Sequence, residues 1–247
     1  MDSKILYHRG NLTAPENSLP AFEMVHNGEA NGVELDVQFT RDGIPVVIHD
    51  LSVDRTTSGS GMVKDLTLEE LQEFKIISEE YPDQSVPTLR RVLEVLAGVE
   101  VINLELKFFS KNISDNNSWV RELLKIVKEM NLLDDIIFSS YNHYCIKQIT
   151  ELDPAARTGV IYRAALYEPW EYAKNLGADA IHPYYMSITP ELVQKAHEHG
   201  LKVVCYGTDE IEDIKKLMCL NVDMIITEAV DSALAARQNM GAGDCLK

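Results

Sequence analysis

Short β-branched runs alternate with longer amphipathic segments along almost the whole chain, and this alternation is what most restricts the fold. Strands that alternate with helices are typical of a parallel sheet in an α/β fold. Thr88, Thr189 and Asp209 stand at the openings of three helix-like segments, as N-cap residues do. The strand-like runs span residues 5–8, 33–38, 45–49, 101–107, 136–139, 158–162, 180–182, 201–206 and 224–227.

These runs are one more than an eight-stranded barrel contains, and a tight turn accounts for the extra one. Asp42-Gly43 is a strong turn signal, so the run at 45–49 is expected to return antiparallel to the run at 33–38. Eight β-then-α units then remain, which predicts a TIM (β/α)8 barrel with a β-hairpin after its second strand. An open doubly wound sheet is the structural alternative, but its typical GxGxxG loop is absent from the sequence.

The length of 247 residues suits one such barrel. Residues 51–87 interrupt the alternation and are too long for an ordinary connection, so they are predicted to form a small insertion over the barrel mouth. We therefore expect a single barrel domain over 1–240, followed by a C-terminal tail at 241–247.

Charge and composition limit the possible partners. A net charge of −16 argues against a nucleic-acid partner and against stable association with an anionic membrane. No apolar run approaches a membrane-spanning length, and no signal peptide precedes the first strand. The four cysteines fit no zinc-ligand spacing and are expected to be ordinary thiols. These features predict a cytoplasmic protein with a small-molecule substrate, and they leave its oligomeric state open.

Three acidic residues collect at the expected carboxyl ends of the second and third barrel strands, where barrel active sites form. Glu34 and Asp36 stand two residues apart and so share a face, and Glu105 lies near the end of the neighbouring strand. Adjacent carboxylates repel each other unless a cation lies between them or one of them takes a proton. Because carboxylate oxygens suit hard cations better than zinc, these three residues predict one divalent cation, Mg²⁺ or Ca²⁺.

Two histidines and two basic residues are expected beside this acidic group. His8 and Arg9 end the first strand, and Lys107 shares a face with Glu105. A two-residue turn at 42–43 would place His49 opposite Asp36. The histidines can act as general acid and general base near neutral pH, and Arg9 and Lys107 can bind a phosphate.

Each of these residues alone has a structural explanation. A lone histidine at a strand end is often only a hydrogen-bonding residue, and Lys107 could simply neutralise Glu105. The whole set is harder to explain in this way, since barrel interiors favour branched apolar residues and buried charges are costly without a partner. Together the residues favour metal-assisted cleavage of a phosphodiester.

The sequence resembles the glycerophosphodiester phosphodiesterase family over nearly its whole length. The blocks that carry the resemblance are HRG at 8–10, PENS at 15–18, ELDVQFTRDGIPVVIHD at 34–50, DRTTSGSG at 54–61, VPTL at 86–89, NLELK at 103–107, SSY at 139–141 and IITE at 225–228. The first block together with the block at 34–50 is highly specific, and the later blocks follow in the expected order.

The resemblance implies a TIM barrel that hydrolyses glycerophosphodiesters to sn-glycerol 3-phosphate and an alcohol. It assigns the metal to Glu34, Asp36 and Glu105, acid–base catalysis to His8 and His49, and phosphate binding to Arg9 and Lys107. It also places Glu16 and Asn17 in a loop beside the site. At the end of the seventh barrel strand Tyr206 stands where the family often has a tryptophan that faces the glycerol side.

Several alternatives stay open on the sequence alone. A lysophospholipase D or phospholipase C-like enzyme on a related barrel would show exposed aromatic or aliphatic residues, or a basic surface, around the mouth. A non-catalytic phosphodiester-binding barrel would lack a ligand or a histidine, and none is missing here. The sequence does not assign acid and base between the histidines, and it does not separate attack by water from a cyclic phosphate route.

Overall fold

A computed structural model describes residues 3–107, 113–241 and 245, and for 113–117 only the backbone. The strands are β1 Lys4–His8, β2 Gly32–Phe39, β3 Pro45–Val47, β4 Val101–Leu106, β5 Ile136–Ser140, β6 Arg157–Tyr162, β7 Ala180–Pro183, β8 Lys202–Cys205 and β9 Met224–Thr227. The helices are α1 Leu19–His26, α2 Leu68–Glu73, α3 Leu89–Val95, α4 Ile113–Glu129, α5 His143–Leu152, α6 Pro169–Leu176, α7 Pro190–Glu198, α8 Ile211–Cys219 and α9 Val230–Asn239.

Eight parallel strands close into a barrel, which confirms the predicted fold. The strand order is β1-β9-β8-β7-β6-β5-β4-β2, and a further pairing of β1 with β2 closes the sheet. The remaining strand, β3, pairs antiparallel with β2 outside the barrel, as the turn signal predicts. The division into a domain at 1–240 and a tail at 241–247 stays a prediction.

The register of the hairpin differs by one residue from the predicted one. Val37 pairs with Val47 and Phe39 with Pro45, so Asp36 is opposite Ile48 rather than His49. The cause is the loop, because Thr40 pairs with Ile44 across three residues instead of two. Three-residue hairpin loops of this kind commonly place glycine in the left-handed region, and Gly43 has φ +79°.

Side chains inside the barrel change from apolar to polar along each strand. A buried cluster that includes Leu6, Val101 and Ile137 closes the amino end of the barrel interior. Residues two positions further along a strand face the same side. Leu6 is therefore followed by His8, and Val101 by Asn103 and then Glu105. The strands thus hold an apolar layer below and a polar layer at their carboxyl ends.

The insertion at 51–87 has a small core of its own beside β3. Val53, Val63 and Leu71 are buried in one cluster with Val46 and Ile48 of the hairpin. This packing fixes the insertion against the segment that carries His49. The insertion and the hairpin therefore share one apolar core.

Two of the three predicted helix caps are confirmed. Thr88 accepts a hydrogen bond from the Arg91 backbone N–H, and Thr189 accepts one from Leu192. The prediction for Asp209 is wrong, because α8 begins after Glu210. The Asp209 carboxylate instead accepts hydrogen bonds at the end of β9, from the Thr227 hydroxyl and the Glu228 backbone N–H.

The cysteines also depart in part from the prediction. Cys145 and Cys205 are buried thiols, as expected. Cys219 and Cys245 instead form a disulfide, so the expectation of ordinary thiols is wrong for this pair. A separation of 26 residues along the chain hides the proximity, but the Cα atoms lie 5.2 Å apart, within the range that a disulfide requires. None of the helices in the described part of the chain has the length and the apolar composition of a membrane span.

Candidate active site

Three carboxylates meet at the carboxyl ends of β2 and β4. One oxygen from each of Glu34, Asp36 and Glu105 lies within 4.8 Å of the others. The parallel register places Asp36 directly beside Glu105, and the alternation of the strand turns Glu34 to the same face. Glu34 and Asp36 are 2% and 1% exposed. The structure thus brings together the three residues that the sequence predicts as metal ligands.

The surroundings of these carboxyl groups differ, and so do their pKa values. Burial raises the pKa of Glu34 well above its usual value, and the charges of Asp36 and Glu105 raise it further. Burial also raises the pKa of Glu105. Burial alone would raise the pKa of Asp36, but the charges of Lys107 and Arg9 outweigh it and the pKa is lowered. Asp36 is therefore the acid of the group that ionises most readily.

Two cations lie against Asp36. Lys107 Nζ is 3.0 Å from Asp36 Oδ1 and also hydrogen-bonds Glu105 Oε1. Arg9 Nε is 3.4 Å from Asp36 Oδ2. Burial alone would lower the pKa of Lys107, but the charges of Asp36 and Glu105 raise it, so this lysine is positively charged.

Glu34 is less well compensated. Its Oε2 atom accepts a hydrogen bond of 3.3 Å from the Arg9 backbone N–H. Its Oε1 atom is buried and has no hydrogen-bond partner among the described residues. An unpartnered buried carboxylate oxygen beside two other carboxylates is costly without a cation. This oxygen and the all-oxygen donor set fit a hard divalent cation such as Mg²⁺ or Ca²⁺.

Asn17 lies in the loop that the resemblance places beside the site, but its contact with Asp36 was not predicted. Its Nδ2 donates to Asp36 Oδ2 at 2.8 Å, and its backbone N–H donates to the Arg9 carbonyl. Arg9 and Asn17 both have positive φ, of 61° and 55°. Such backbone is uncommon outside glycine and asparagine, and it often marks a functional site. The PENS block at 15–18 contains this residue, but the chain pattern alone does not reveal its contact.

His8 lies at the edge of the acidic group. Its Nε2 is 3.9 Å from Glu34 Oε2, and its Nδ1 is 3.2 Å from Glu228 Oε1. Burial and the charge of Arg9 lower the pKa of His8, although Asp36 and Glu228 act in the opposite direction. The imidazole is therefore held mainly in its neutral form. Glu228 follows β9, and its contact with His8 was not predicted.

His49 approaches the same group from the hairpin. Gln38 fixes the backbone of this segment, because its side-chain amide donates to the carbonyls of Ile48, His49 and Asp50. His49 lines a cavity together with Lys107, the lysine that contacts Asp36 and Glu105. The structure thus brings His49 to the site through the loop after β3, although the predicted register is wrong.

Glu16 lies beside the phosphate-binding candidate Arg9, as the resemblance implies. Its Oε1 is 3.0 Å from Arg9 Nη1, and both of its carboxylate oxygens accept hydrogen bonds from Arg55. Burial would raise the pKa of Glu16, but the hydrogen bond from Arg55 and the charge of Arg9 lower it. Glu16 is therefore a charged support for two guanidinium groups.

Tyr206 forms part of an aromatic wall. Its hydroxyl is 2.5 Å from the Tyr141 hydroxyl and donates to the Tyr162 carbonyl at 3.2 Å. Its ring centroid lies 5.7 Å from that of Tyr184. The Arg163 guanidinium lies over the Tyr184 ring, 4.8 Å from its centroid. Tyr141, Tyr184 and Tyr206 thus form one continuous aromatic surface.

A cavity of about 450 Å³ opens beside His49 and Lys107. Asp50, Leu51, Ser52 and Met62 line the rest of it, so the insertion supplies one of its walls. A larger cavity, of about 990 Å³, lies between α8 and α9, and none of the predicted site residues lines it. Of these two cavities, the smaller one is therefore the candidate substrate-binding cavity, because predicted site residues line it.

His182 is buried inside the barrel and belongs to its scaffold. It is 1% exposed, and its Nε2 has no hydrogen-bond partner among the described residues. A Cβ on Gly159 would lie 2.2 Å from this nitrogen, so glycine makes room for the ring. Burial lowers the pKa of His182 to about 3.

We expect His182 to make the protein less stable at acid pH. Between about pH 6.5 and 3 the unfolded chain binds a proton here that the folded chain does not, so the free energy of unfolding falls as the pH falls. One such group contributes about 1.4 kcal/mol per pH unit. Urea unfolding between pH 6.5 and 4.5 should therefore show a shallower pH dependence for His182→Leu. Equal slopes for both proteins would contradict the expectation.

Comparison with known proteins supports the resemblance. The model of the glycerophosphoryl diester phosphodiesterase family matches residues 8–232. A glycerophosphodiester phosphodiesterase of Caldanaerobacter subterraneus subsp. tengcongensis is 37% identical over 233 residues, which are 92% of this chain and 95% of that protein. A glycerophosphodiester phosphodiesterase of Bacillus altitudinis is 31% identical over 246 residues, 96% of this chain and 99% of its relative.

The backbone fold of a solved structure is closely similar to that of this chain. A phosphodiesterase from Oleispira antarctica, in complex with the product sn-glycerol-3-phosphate, superposes with a TM-score of 0.88. The two sequences are 25% identical, and the match covers 96% of this chain and 97% of the other.

Proposed function

This chain belongs to the glycerophosphoryl diester phosphodiesterase family, a family of phosphoric diester hydrolases, and we propose that it cleaves glycerophosphodiesters at the acidic group by metal-dependent acid–base catalysis. The observation that carries this proposal is the buried Glu34 Oε1 atom, which lacks a hydrogen-bond partner within the described residues. It lies beside two further carboxylates, His8 Nε2 is 3.9 Å from the other oxygen of Glu34, and His49 lines a cavity with Lys107. The products are sn-glycerol 3-phosphate and an alcohol, and the former is bound in the Oleispira antarctica structure.

The metal would be held by Glu34, Asp36 and Glu105. A bound divalent cation supplies positive charge that polarises a phosphoryl oxygen and stabilises the charge that develops on the phosphate. Asn17 keeps Asp36 oriented through its amide, and Lys107 compensates the negative charge of Asp36 and Glu105. The choice between Mg²⁺ and Ca²⁺ depends on the number of ligands and the rigidity of the site.

Arg9 and Lys107 are the groups that would bind the phosphate. Both lie beside Asp36, and the side chains are 17% and 9% exposed. Cations in such a protected position act on an anion more strongly than cations on the open surface. The Arg9 guanidinium is held on its other side by Glu16, so its orientation is fixed before the substrate arrives.

His8 and His49 would transfer the protons. The lowered pKa of His8 keeps its imidazole neutral, which suits a group that accepts a proton. His49 lines the cavity of about 450 Å³, so a leaving alcohol in that cavity would lie next to its imidazole. This division makes His8 the general base and His49 the general acid.

Exposed apolar side chains at the barrel mouth favour a second candidate substrate, a lysophospholipid. Tyr144, Tyr167 and Met186 are 68%, 89% and 72% exposed. They follow β5, β6 and β7, at the end of the barrel where the site lies. Apolar groups around a mouth could contact an acyl chain. A lysophospholipase D activity is the alternative that this observation supports.

A panel of substrates tests the proposal. Glycerophosphocholine, glycerophosphoethanolamine, glycerophosphoglycerol, glycerophosphoinositol and a lysophospholipid would each be incubated with Mg²⁺ and with Ca²⁺. We expect release of sn-glycerol 3-phosphate from the soluble diesters. A lysophosphatidic acid product from the lysophospholipid, at a higher kcat/KM than for the soluble diesters, would favour the alternative. No hydrolysis of any diester with either metal would contradict both.

A further inference from the structure

Arg55 links two parts of the site that are far apart in the sequence. It lies in the insertion, and its guanidinium donates to both oxygens of Glu16, at 2.9 and 2.7 Å. It also donates to both oxygens of Asp50, at 2.6 and 3.0 Å. Four hydrogen bonds to two carboxylates use the planar fork of arginine, which lysine cannot reproduce.

Asp50 connects this arginine to His49. Its Oδ1 is 2.6 Å from His49 Nδ1. The hydrogen bond from Arg55 holds the pKa of Asp50 well below its usual value, and the contact with His49 acts in the same direction. A carboxylate can only accept a hydrogen bond, so His49 Nδ1 carries the proton and donates it. In the protonated ring Nε2 carries the second proton, which it can donate to the leaving alcohol, and the ring then keeps its remaining proton on Nδ1 beside Asp50.

The segment that holds His49 has few other constraints on its side chain. Gln38 donates to the backbone carbonyls of this segment, and these hydrogen bonds do not involve the imidazole. Within the described residues, the hydrogen bond that the His49 imidazole makes is the one with Asp50. Rotation of Asp50 would therefore also release the ring, and Arg55 is the residue that prevents it.

We propose that Arg55 is a positioning residue for the hydrolysis: through Asp50 it fixes the orientation and the tautomer of His49. The proposal rests on the role of His49 in the proposed function. It gives the insertion a defined task, because the insertion carries the arginine that orders a proton-transfer group on the hairpin. The second arm, through Glu16 to Arg9, orients the phosphate-binding guanidinium in the same way.

Steady-state kinetics and NMR of the full chain test this proposal. Replacing a residue that orients a functional residue typically lowers activity by about 10–100-fold. Arg55→Gln and Arg55→Lys should therefore both lower kcat by this factor. The ¹⁵N signals of the His49 imidazole, at a pH at which it is neutral, should show the proton on Nδ1 in the wild type and a mixture of tautomers in Arg55→Gln. With seven histidines in the chain, the spectrum can be assigned residue by residue.

Arg41→Gln is the matched control. Arg41 is also an arginine paired with a glutamate, Glu70, but it lies on the exposed face of the hairpin. This variant should keep the wild-type kcat and the wild-type His49 signals. In a His49→Ala background, Arg55→Gln should lower kcat by a smaller factor than in the wild type, because only the arm through Glu16 to Arg9 is left to lose. An effect that does not pass through His49 would lower kcat by the same factor in both backgrounds.

The outcomes separate this inference from the proposed function. Unchanged kcat and an unchanged His49 tautomer in Arg55→Gln, together with a large loss in His49→Ala, would overturn the role of Arg55 alone. Full activity of His49→Ala would overturn the proposed role of His49 itself. Equal thermal unfolding of Arg55→Gln and the wild type would show that a loss of kcat does not arise from unfolding.

Discussion

Replacing either His8 or His49 with alanine is expected to lower kcat by about 10²–10⁴-fold, because each proton-transfer group typically contributes that much. The fold should survive both changes. His8 and His49 lie at the rim of the barrel, and neither side chain belongs to an apolar cluster. Hydrolysis of glycerophosphodiesters, measured as released sn-glycerol 3-phosphate, together with circular dichroism, checks both parts of the expectation.

His197→Ala is the matched control for these variants. His197 lies in α7 and pairs with Asp223 Oδ2 at 2.7 Å, outside the candidate active site. Its replacement should leave kcat unchanged. Near-normal turnover in both His8→Ala and His49→Ala would contradict the proposed acid–base roles, whatever the result for the control.

A substrate with a good leaving group separates the two histidines. A glycerophosphodiester of p-nitrophenol needs little protonation of its leaving oxygen, so it depends less on the general acid. We expect this substrate to restore most of the rate of His49→Ala and little of the rate of His8→Ala. Restoration in His8→Ala instead would exchange the roles of the two residues.

The sequence predicts the barrel because the signal repeats eight times. Each strand is short and β-branched, each helix carries an apolar stripe, and the hairpin is marked by Asp42-Gly43. A local error does not spread through such a pattern, so the displaced register of the hairpin leaves the fold unchanged. The register itself depends on the backbone conformation of three loop residues, which periodicity does not report.

The sequence predicts those site residues whose side chains are placed by the two-residue alternation of a strand. Glu34, Asp36 and Glu105 follow from the two-residue period of β2 and β4, and the structure brings their carboxylates together. The supporting contacts are of another kind. Asn17, Arg55 and Glu228 reach the site from loops, and their positions depend on backbone angles and on packing between distant segments.

The larger of the expected effects concerns Glu34. In Glu34→Gln we expect hydrolysis to fall to the level of the chelator-treated enzyme, because the amide removes one of three carboxylate ligands from the cation. Excess EDTA should likewise stop the wild-type enzyme, and Mg²⁺ or Ca²⁺ should restore it. Calorimetric titration of the metal-free protein with each cation should show weaker binding to the variant.

The same substitution should make the metal-free protein more stable. Burial and repulsion from Asp36 and Glu105 raise the pKa of Glu34 well above its value in the unfolded chain. A carboxyl group whose pKa is raised on folding destabilises the fold at neutral pH, where it would otherwise ionise, and this cost vanishes at acid pH. The Tm of Glu34→Gln in EDTA should therefore exceed that of the wild type at neutral pH and approach it at acid pH.

Metal binding should therefore raise the thermal stability of the wild type but not that of Glu34→Gln. A cation that binds the folded state raises the Tm, so Mg²⁺ or Ca²⁺ should stabilise the wild type and have little effect on Glu34→Gln. Glu100→Gln is the matched control, since Glu100 is an exposed glutamate paired with Lys4, and it should respond as the wild type does. Full hydrolysis in excess EDTA, or equal stabilisation of Glu34→Gln by the metal, would contradict a cation held by this carboxylate. We expect Glu34→Gln to be inactive, to be more stable than the wild type without metal, and not to be stabilised by metal. That result would show that the buried carboxylate of Glu34 binds the cation and lowers the stability of the metal-free barrel.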